Sequence, residues 1–229
     1  MDTQPAGGIG LVGFDADDTL WRSQDYFDDA QAQFERIVAG YVDLADVADR
    51  LYAVEKRNIG FFGYGVKGMA LSMVEAAVEI TESRISAADV HRIVGLAKDL
   101  LRHPVEVLDG VRDAVEAVAA RHRVVLITKG DLFRRIEIVS EKDPATYARL
   151  FEEFGIDARR FLMVGNSLRS DIAPVLALGG WGVHVPYHTT WAHEAEAPLG
   201  EGLERMRTIP RLALLPAAMR ELQTQDSPR

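Results

Sequence analysis

The chain contains no cysteine in its 229 residues. That absence excludes disulfides, thiolate metal sites and a cysteine nucleophile, and it fits a reducing cytoplasm. No apolar run approaches the length of a membrane span. Met1 to Gly8 carries neither the basic nor the apolar region of a secretory signal, so a cytoplasmic location is expected. Positive charge is also scarce: 26 Lys and Arg stand against 35 Asp and Glu, a formal net charge of −9. This balance argues against a nucleic-acid partner. An acidic chain can still bind a phosphate if a metal ion and a lysine neutralise the pocket locally. Internal repeats and low-complexity segments are missing too. With 48% hydrophobic residues, the chain can bury one large core or two small ones.

What is present is concentrated in one stretch. The apolar run Ile9-Gly10-Leu11-Val12-Gly13-Phe14 leads directly into Asp15-Ala16-Asp17-Asp18-Thr19. A short apolar run bounded by glycines reads as a buried parallel strand. The carboxylates therefore emerge where that strand ends, which is where open α/β sheets bind ligands. Several carboxylates together are costly unless a cation sits among them. The economical reading is a divalent-metal site with one carboxylate free to act as a nucleophile. The alternative on these residues alone is a polar turn in which Asp18 or Thr19 caps a helix.

From Arg22 to Pro104 the chain reads almost wholly helical. Phe27, Ala30, Phe34, Ile37, Val38 and Tyr41 recur at helical spacing, as do Val47, Leu51 and Val54. Met69, Met73, Ala76 and Ala77 mark a further face, and Val90, Ile93, Val94, Ala97 and Leu101 another, with Ser86 as its N-cap. An all-helical block between strands predicts a separate small domain at 22–104, with 1–21 and 105–229 forming the other. In that other part strands and helices alternate. Helix signals lie at Val111–Val118, Asp143–Gly155 and Ser170–Leu178, and strand signals at Val124–Ile127, Ile136–Val139, Phe161–Val164 and Gly182–Val185. Such alternation predicts a doubly wound, Rossmann-like parallel sheet with helices on both faces.

Three later groups fall at the ends of predicted strands, as they must to meet Asp15. Thr128, with Lys129 and Gly130, offers a hydroxyl and backbone amides suited to phosphate oxygens. Lys142 precedes the helix that starts at Pro144, and its ammonium could neutralise a carboxylate–phosphate pair. Gly165-Asn166-Ser167, with Asp171 beyond, offers oxygen ligands for a hard cation. Singly, each has a structural explanation: a strand end, a solvated lysine, a first-turn carboxylate at a helix dipole. Together they form an ordered set.

That set resembles the haloacid dehalogenase superfamily of hydrolases, with a helical cap inserted after the first motif. Asp15-x-Asp17-x-Thr19, Leu126-Ile127-Thr128-Lys129-Gly130, Glu141-Lys142-Asp143-Pro144 and Gly165-Asn166-Ser167-x-x-x-Asp171 match its four motifs, and the resemblance runs from Gly8 to about His193. It implies Asp15 as the nucleophile that forms an aspartyl-phosphate and Asp17 as general acid and then base. Thr128, Lys129, Gly130 and Thr19 would serve the phosphate, and Lys142 would stabilise negative charge. Magnesium would be held by Asp15, the carbonyl of Asp17, Asn166 and Asp171. A small phosphorylated metabolite is the expected partner, met in the cap by the glycine- and aromatic-rich stretch Asn58–Gly68.

Two features depart from the pattern. Asn166 stands where many family phosphatases carry aspartate, which predicts weaker metal binding and opens a metal-independent 2-haloacid dehalogenase reading. Asp17 speaks against dehalogenation, and retention of Asp15, Asp17, Thr128 and Lys142 against an inactive binding fold. Only the seven residues Lys129 to Arg135 separate Thr128 from Ile136. A parallel crossover needs about a dozen or more, so a deletion or omission there is expected. His184, His188 and His193 fit no standard zinc spacing.

Overall fold

In the computed structural model, residues 8–129, 137–139, 141–195, 200 and 202–225 are described. The chain divides into two compact units, Ser23–Val105 and the segments on either side of it. In chain order, β1 (Leu11–Phe14) precedes α1 (Gln24–Val38), α2 (Val47–Phe62), α3 (Val66–Ile80) and α4 (Ala87–Arg102). There follow α5 (Val111–Ala119), β2 (Arg123–Thr128), β3 (Glu137–Ile138), α6 (Pro144–Phe154) and β4 (Phe161–Gly165). The chain then passes through α7 (Ala173–Ala177), β5 (Trp181–His184), α8 (Ala192–Ala195), β6 (Met206–Thr208) and α9 (Leu215–Gln225).

The strands form one sheet in the order β3-β2-β1-β4-β5-β6, with every neighbouring pair parallel. Strand order reverses between β1 and β4, the switch point at which doubly wound sheets bind ligands. Side chains alternate across the pleat. Val12, Phe14, Leu162, Val164 and Val183 share one core with α5 and α9. Leu11, Ile127, Phe161 and Met163 share the other with α6 and Val175 of α7. Gly13 is required by this packing, since a Cβ there would lie 2.6 Å from the Phe161 ring.

Local grammar accounts for several boundaries. Asp143 caps α6 by accepting from Thr146 N at 2.7 Å, Pro144 opens the helix, and Gly155 ends it in the left-handed region at φ 61°. Ser86 Oγ accepts from Asp89 N at 3.0 Å at the start of α4. The helical unit buries the faces marked by periodicity: Ala30, Phe34, Ile37 and Val38 on α1, Val47, Leu51 and Val54 on α2, and Met69, Met73, Ala76 and Ala77 on α3. On α4 only Ile93 and Ala97 are buried, and Leu101 is 60% exposed. Its apolar face therefore ends a turn earlier than expected.

The two segments that flank the helical unit in sequence are hydrogen-bonded to each other. Leu108 N donates to Leu20 O at 3.0 Å, and Arg22 N to Glu106 O at 2.9 Å. The Arg22 and Glu106 side chains add an exposed ion pair at 3.8 Å, worth little by itself.

One helix expectation needs correction. Ser170–Leu178 is not one α-helix: a wide π-type turn at Leu168–Ile172 precedes the short α7. β6 and α9 complete the fold although the sequence reading assigned neither. The short crossover is also compatible with parallel pairing. Among the described residues, β2 and β3 pair through Ile127 with Glu137 and Thr128 with Ile138. The dozen-residue minimum applies when a chain must return along a whole strand; here the ladder begins at the last two residues of β2. Residues 130–136, including Gly130 and Ile136, lie outside the described residues.

Candidate active site

Asp15 leaves β1 with its N–H bonded to Val164 O at 2.9 Å, which fixes it beside the end of β4. The chain then turns tightly. Leu20 N donates to Ala16 O at 2.8 Å, and Asp18 takes the left-handed conformation at φ 60°, which aspartate tolerates better than most residues. The turn buries Asp15 and Thr19 and leaves Asp17 exposed. Asp17 does not swing freely: Trp21 Nε1 donates to its Oδ1 at 2.9 Å.

Lys142 arrives from β3, just ahead of the α6 cap, and is itself buried. Its ammonium bonds Asp15 and lies 2.7 Å from Asp171 Oδ1. Asp171 projects from the wide turn after β4, and its Oδ2 accepts from Ser167 N at 3.0 Å. The carboxylate rests on Gly165, where a Cβ would lie 2.1 Å from Oδ2. Thr19 Oγ1 donates to Asp15 Oδ2 at 3.0 Å and lies 3.4 Å from Asn166 Oδ1. Thr128, buried at the end of β2, accepts at its carbonyl from Val139 N at 3.1 Å.

The electrostatics follow from this crowding. Burial alone would lower the Lys142 pKa, but the carboxylates of Asp15 and Asp171 outweigh it and hold it above its ordinary value. Burial, then the charge of Asp15, pushes the Asp171 carboxyl up to about 7, and Lys142 offsets this only in part. Two buried carboxylates thus share one ammonium, and the remaining negative charge favours an added cation. The nearby donors are oxygens of Asp15, Asn166 and Asp171, which suit a hard ion. Among the described residues no group of three or more His, Cys, Asp or Glu is arranged to hold a metal. Magnesium suits a sparser set, because it keeps several waters and uses one or two carboxylates with substrate phosphate.

The structure therefore brings together Asp15, Thr19, Lys142, Asn166 and Asp171, with Asp17 on the same turn as Asp15. Lys129 is placed differently from a phosphate-facing lysine. Its ammonium bonds Glu194 and donates to Ser170 Oγ at 3.0 Å. Asn58, in the stretch expected to face substrate, donates to Ser72 at 3.3 Å and Glu75 at 2.6 Å, tying α2 to α3. Phe61 in the same stretch is 80% exposed. His184 Nε2 lies 3.0 Å from Asn166 O, while His188 and His193 pair with Tyr187 and Trp191.

Sequence reasoning missed Trp21 and Glu194. Trp21 had a usable signal, an N–H donor four residues beyond Asp17. Gly165 was named as part of the fourth motif, without the close approach to Asp171. Glu194, in α8, had none: its partners Lys129, Ser167 and Ser170 come from elements distant in sequence. Burial would raise the Glu194 pKa, but the charge of Lys129 and hydrogen bonds from Lys129, Ser167 and Ser170 bring it down to about 2.

An aspartate and a buried lysine thus meet at the switch point of a doubly wound parallel sheet, the place where α/β folds bind ligands. The family profile of haloacid dehalogenase-like hydrolases matches residues 9–179, and the chain belongs to that family. A haloacid dehalogenase-like family hydrolase from Xanthomonas campestris is 50% identical, with 98% of this chain and 96% of that one covered at a TM-score of 0.85. A 2-haloacid dehalogenase from Pseudomonas syringae pv. tomato shares the fold at 19% identity, 93% and 99% coverage and a TM-score of 0.60. So does YfnB of Bacillus subtilis, bound to magnesium, at 15% identity, 93% and 99% coverage and a TM-score of 0.57. No curated protein matches the chain.

Proposed function

We propose that this hydrolase is a magnesium-dependent phosphohydrolase acting on a small phosphomonoester through an aspartyl-phosphate. The observation that carries the reading is the pairing of a buried Asp15, held between Lys142 and Thr19, with an exposed Asp17 two residues on. Displacement at carbon needs only the first carboxylate. Hydrolysis of a phosphate ester also needs an acid for the leaving alcohol, and the nearness of Asp17, held by Trp21 Nε1, supports that role for it.

Asp15 attacks phosphorus and the ester P–O bond breaks. Asp17 gives its proton to the departing alkoxide. Asp17 then takes a proton from water, the resulting hydroxide attacks the phosphorus of the aspartyl-phosphate, and inorganic phosphate leaves with Asp15 restored. Lys142 holds the Asp15 carboxylate in position and balances charge as it accumulates. Thr128, at the end of the adjacent strand, supplies a hydroxyl for a phosphoryl oxygen. Asp15, the carbonyl of Asp17, Asn166 and Asp171 are the residues that would hold magnesium, Asp171 directly or through an ordered water. Bound magnesium supplies Lewis-acid stabilisation of the transferring phosphoryl group. A cytoplasmic location and a cap role for Ser23–Val105 belong to the same proposal.

The test is phosphate release from a panel of small phosphomonoesters, with magnesium or with EDTA, for wild type, Asp15→Asn and Asp17→Asn. Turnover that needs magnesium and disappears in both variants is the expected result. Halide release from 2-haloacids that survives EDTA and Asp17→Asn would replace this reading with dehalogenation.

A further inference from the structure

We infer that Glu194 is a positioning residue that ties the phosphate-binding end of β2 to the metal-binding turn after β4. The inference rests on the phosphohydrolase reading and extends it to a residue outside the four motifs. Among the described residues, the groups hydrogen-bonded to the Glu194 carboxylate are chain neighbours of candidate site residues. Lys129 follows Thr128, Ser167 follows Asn166, and Ser170 precedes Asp171.

The contacts are close and largely shielded from water. Ser167 Oγ donates to Glu194 Oε2 at 2.6 Å and Ser170 Oγ to the same oxygen at 2.5 Å, while Lys129 bonds Oε1. The side chains of Lys129 and Glu194 are 12% and 14% exposed. A further link runs beside them: Arg169 Nη1 donates to His193 O at 2.5 Å. Lys129 Nζ also reaches Ser170 Oγ at 3.0 Å, so the second strand, the wide turn and α8 meet in one network. Groups one shell behind a metal or phosphate site orient its ligands and set its charge in this way.

This arrangement gives Glu194 two separable effects. Its charge cancels Lys129, which would otherwise bring an uncompensated ammonium beside the phosphate-binding end of β2. Its length anchors the turn that carries Asn166 and Asp171. Removing the charge should therefore tighten phosphate binding and, because the Lys129 ammonium left uncompensated repels a cation, weaken magnesium binding. A residue that only held the fold together would weaken both or neither.

Calorimetry on the full chain can separate these outcomes, with magnesium titrated alone and inorganic phosphate titrated at saturating magnesium. For Glu194→Gln, phosphate should bind about tenfold more tightly and magnesium about tenfold more weakly, the scale of one partly buried charge acting over several ångströms. In Lys129→Gln/Glu194→Gln, which leaves no uncompensated buried charge, phosphate affinity should return to near the wild-type value. Glu194→Asp keeps the charge but not the reach, so magnesium affinity should fall while phosphate affinity holds; this variant carries the test if Glu194→Gln does not fold. Parallel losses of both affinities, or no change in either, would overturn the inference. Wild-type protein that binds neither probe would sink the phosphohydrolase reading and the inference with it.

Discussion

Lys142 Nζ lies 2.7 Å from Asp171 Oδ1 and bonds Asp15 as well, so one buried ammonium serves two buried carboxylates. Replacing it by methionine leaves both carboxylates without their cation. Breaking a buried pair costs about 3–5 kcal/mol, and loss of one stabilising donor costs about a hundredfold or more in turnover. Lys142→Met should therefore melt well below wild type and lose phosphate release. A variant that kept wild-type turnover would remove Lys142 from the site.

Trp21 holds Asp17 through its indole N–H at 2.9 Å. Phenylalanine at this position keeps the apolar ring and removes the donor. The expected result for Trp21→Phe is a kcat lower by about tenfold, the worth of one positioned hydrogen bond to a charged group. KM and the far-ultraviolet circular dichroism spectrum should stay close to wild type. An unchanged kcat would show that the indole does not orient the acid.

Gly165 lies under Asp171, and the smallest added side chain would meet Oδ2 at 2.1 Å. No flexible tail is available to move aside, because Asp171 is fixed by Lys142 and Ser167. Gly165→Ala should cost about 1–3 kcal/mol from overpacking, and magnesium affinity should fall with it. Denaturant unfolding and calorimetry measure the two losses separately.

Acid should weaken the protein in a window set by Glu194. Burial would raise its carboxyl pKa, but Lys129 and the two serines bring it to about 2, below the ordinary 4.5. The unfolded chain therefore binds the proton more readily than the folded one between those values. Stability from this group is complete above about pH 4.5 and fades as pH falls toward about 2. Urea midpoints measured across that range should decline in wild type and decline less steeply in Glu194→Gln.

Much of the fold was legible because its signals are local. Asp143, Pro144 and Gly155 mark both ends of α6 within one short segment, and the apolar run into Asp15 marks β1 and its exit. Helical periodicity does not describe the turn at Leu168–Ile172, whose wider spacing turns Asp171 inward. β6 is three residues long and too short for alternation to show. The apolar spacing of Leu215, Ala218, Met219 and Leu222 on α9 was readable but was not assigned. In the site, Asp15, Thr19, Lys142, Asn166 and Asp171 were named from motifs and meet in space. Glu194 could not be found that way, since its place depends on how β2, the wide turn and α8 fold together.

The brevity of β6 has a consequence of its own. β6 forms one end of the sheet and is three residues long. A sheet end with a long row of unpaired N–H and C=O groups is a template on which other chains assemble. A margin this short offers a passing strand too few rungs to hold. At β6 the sheet therefore gives little purchase for edge-to-edge aggregation.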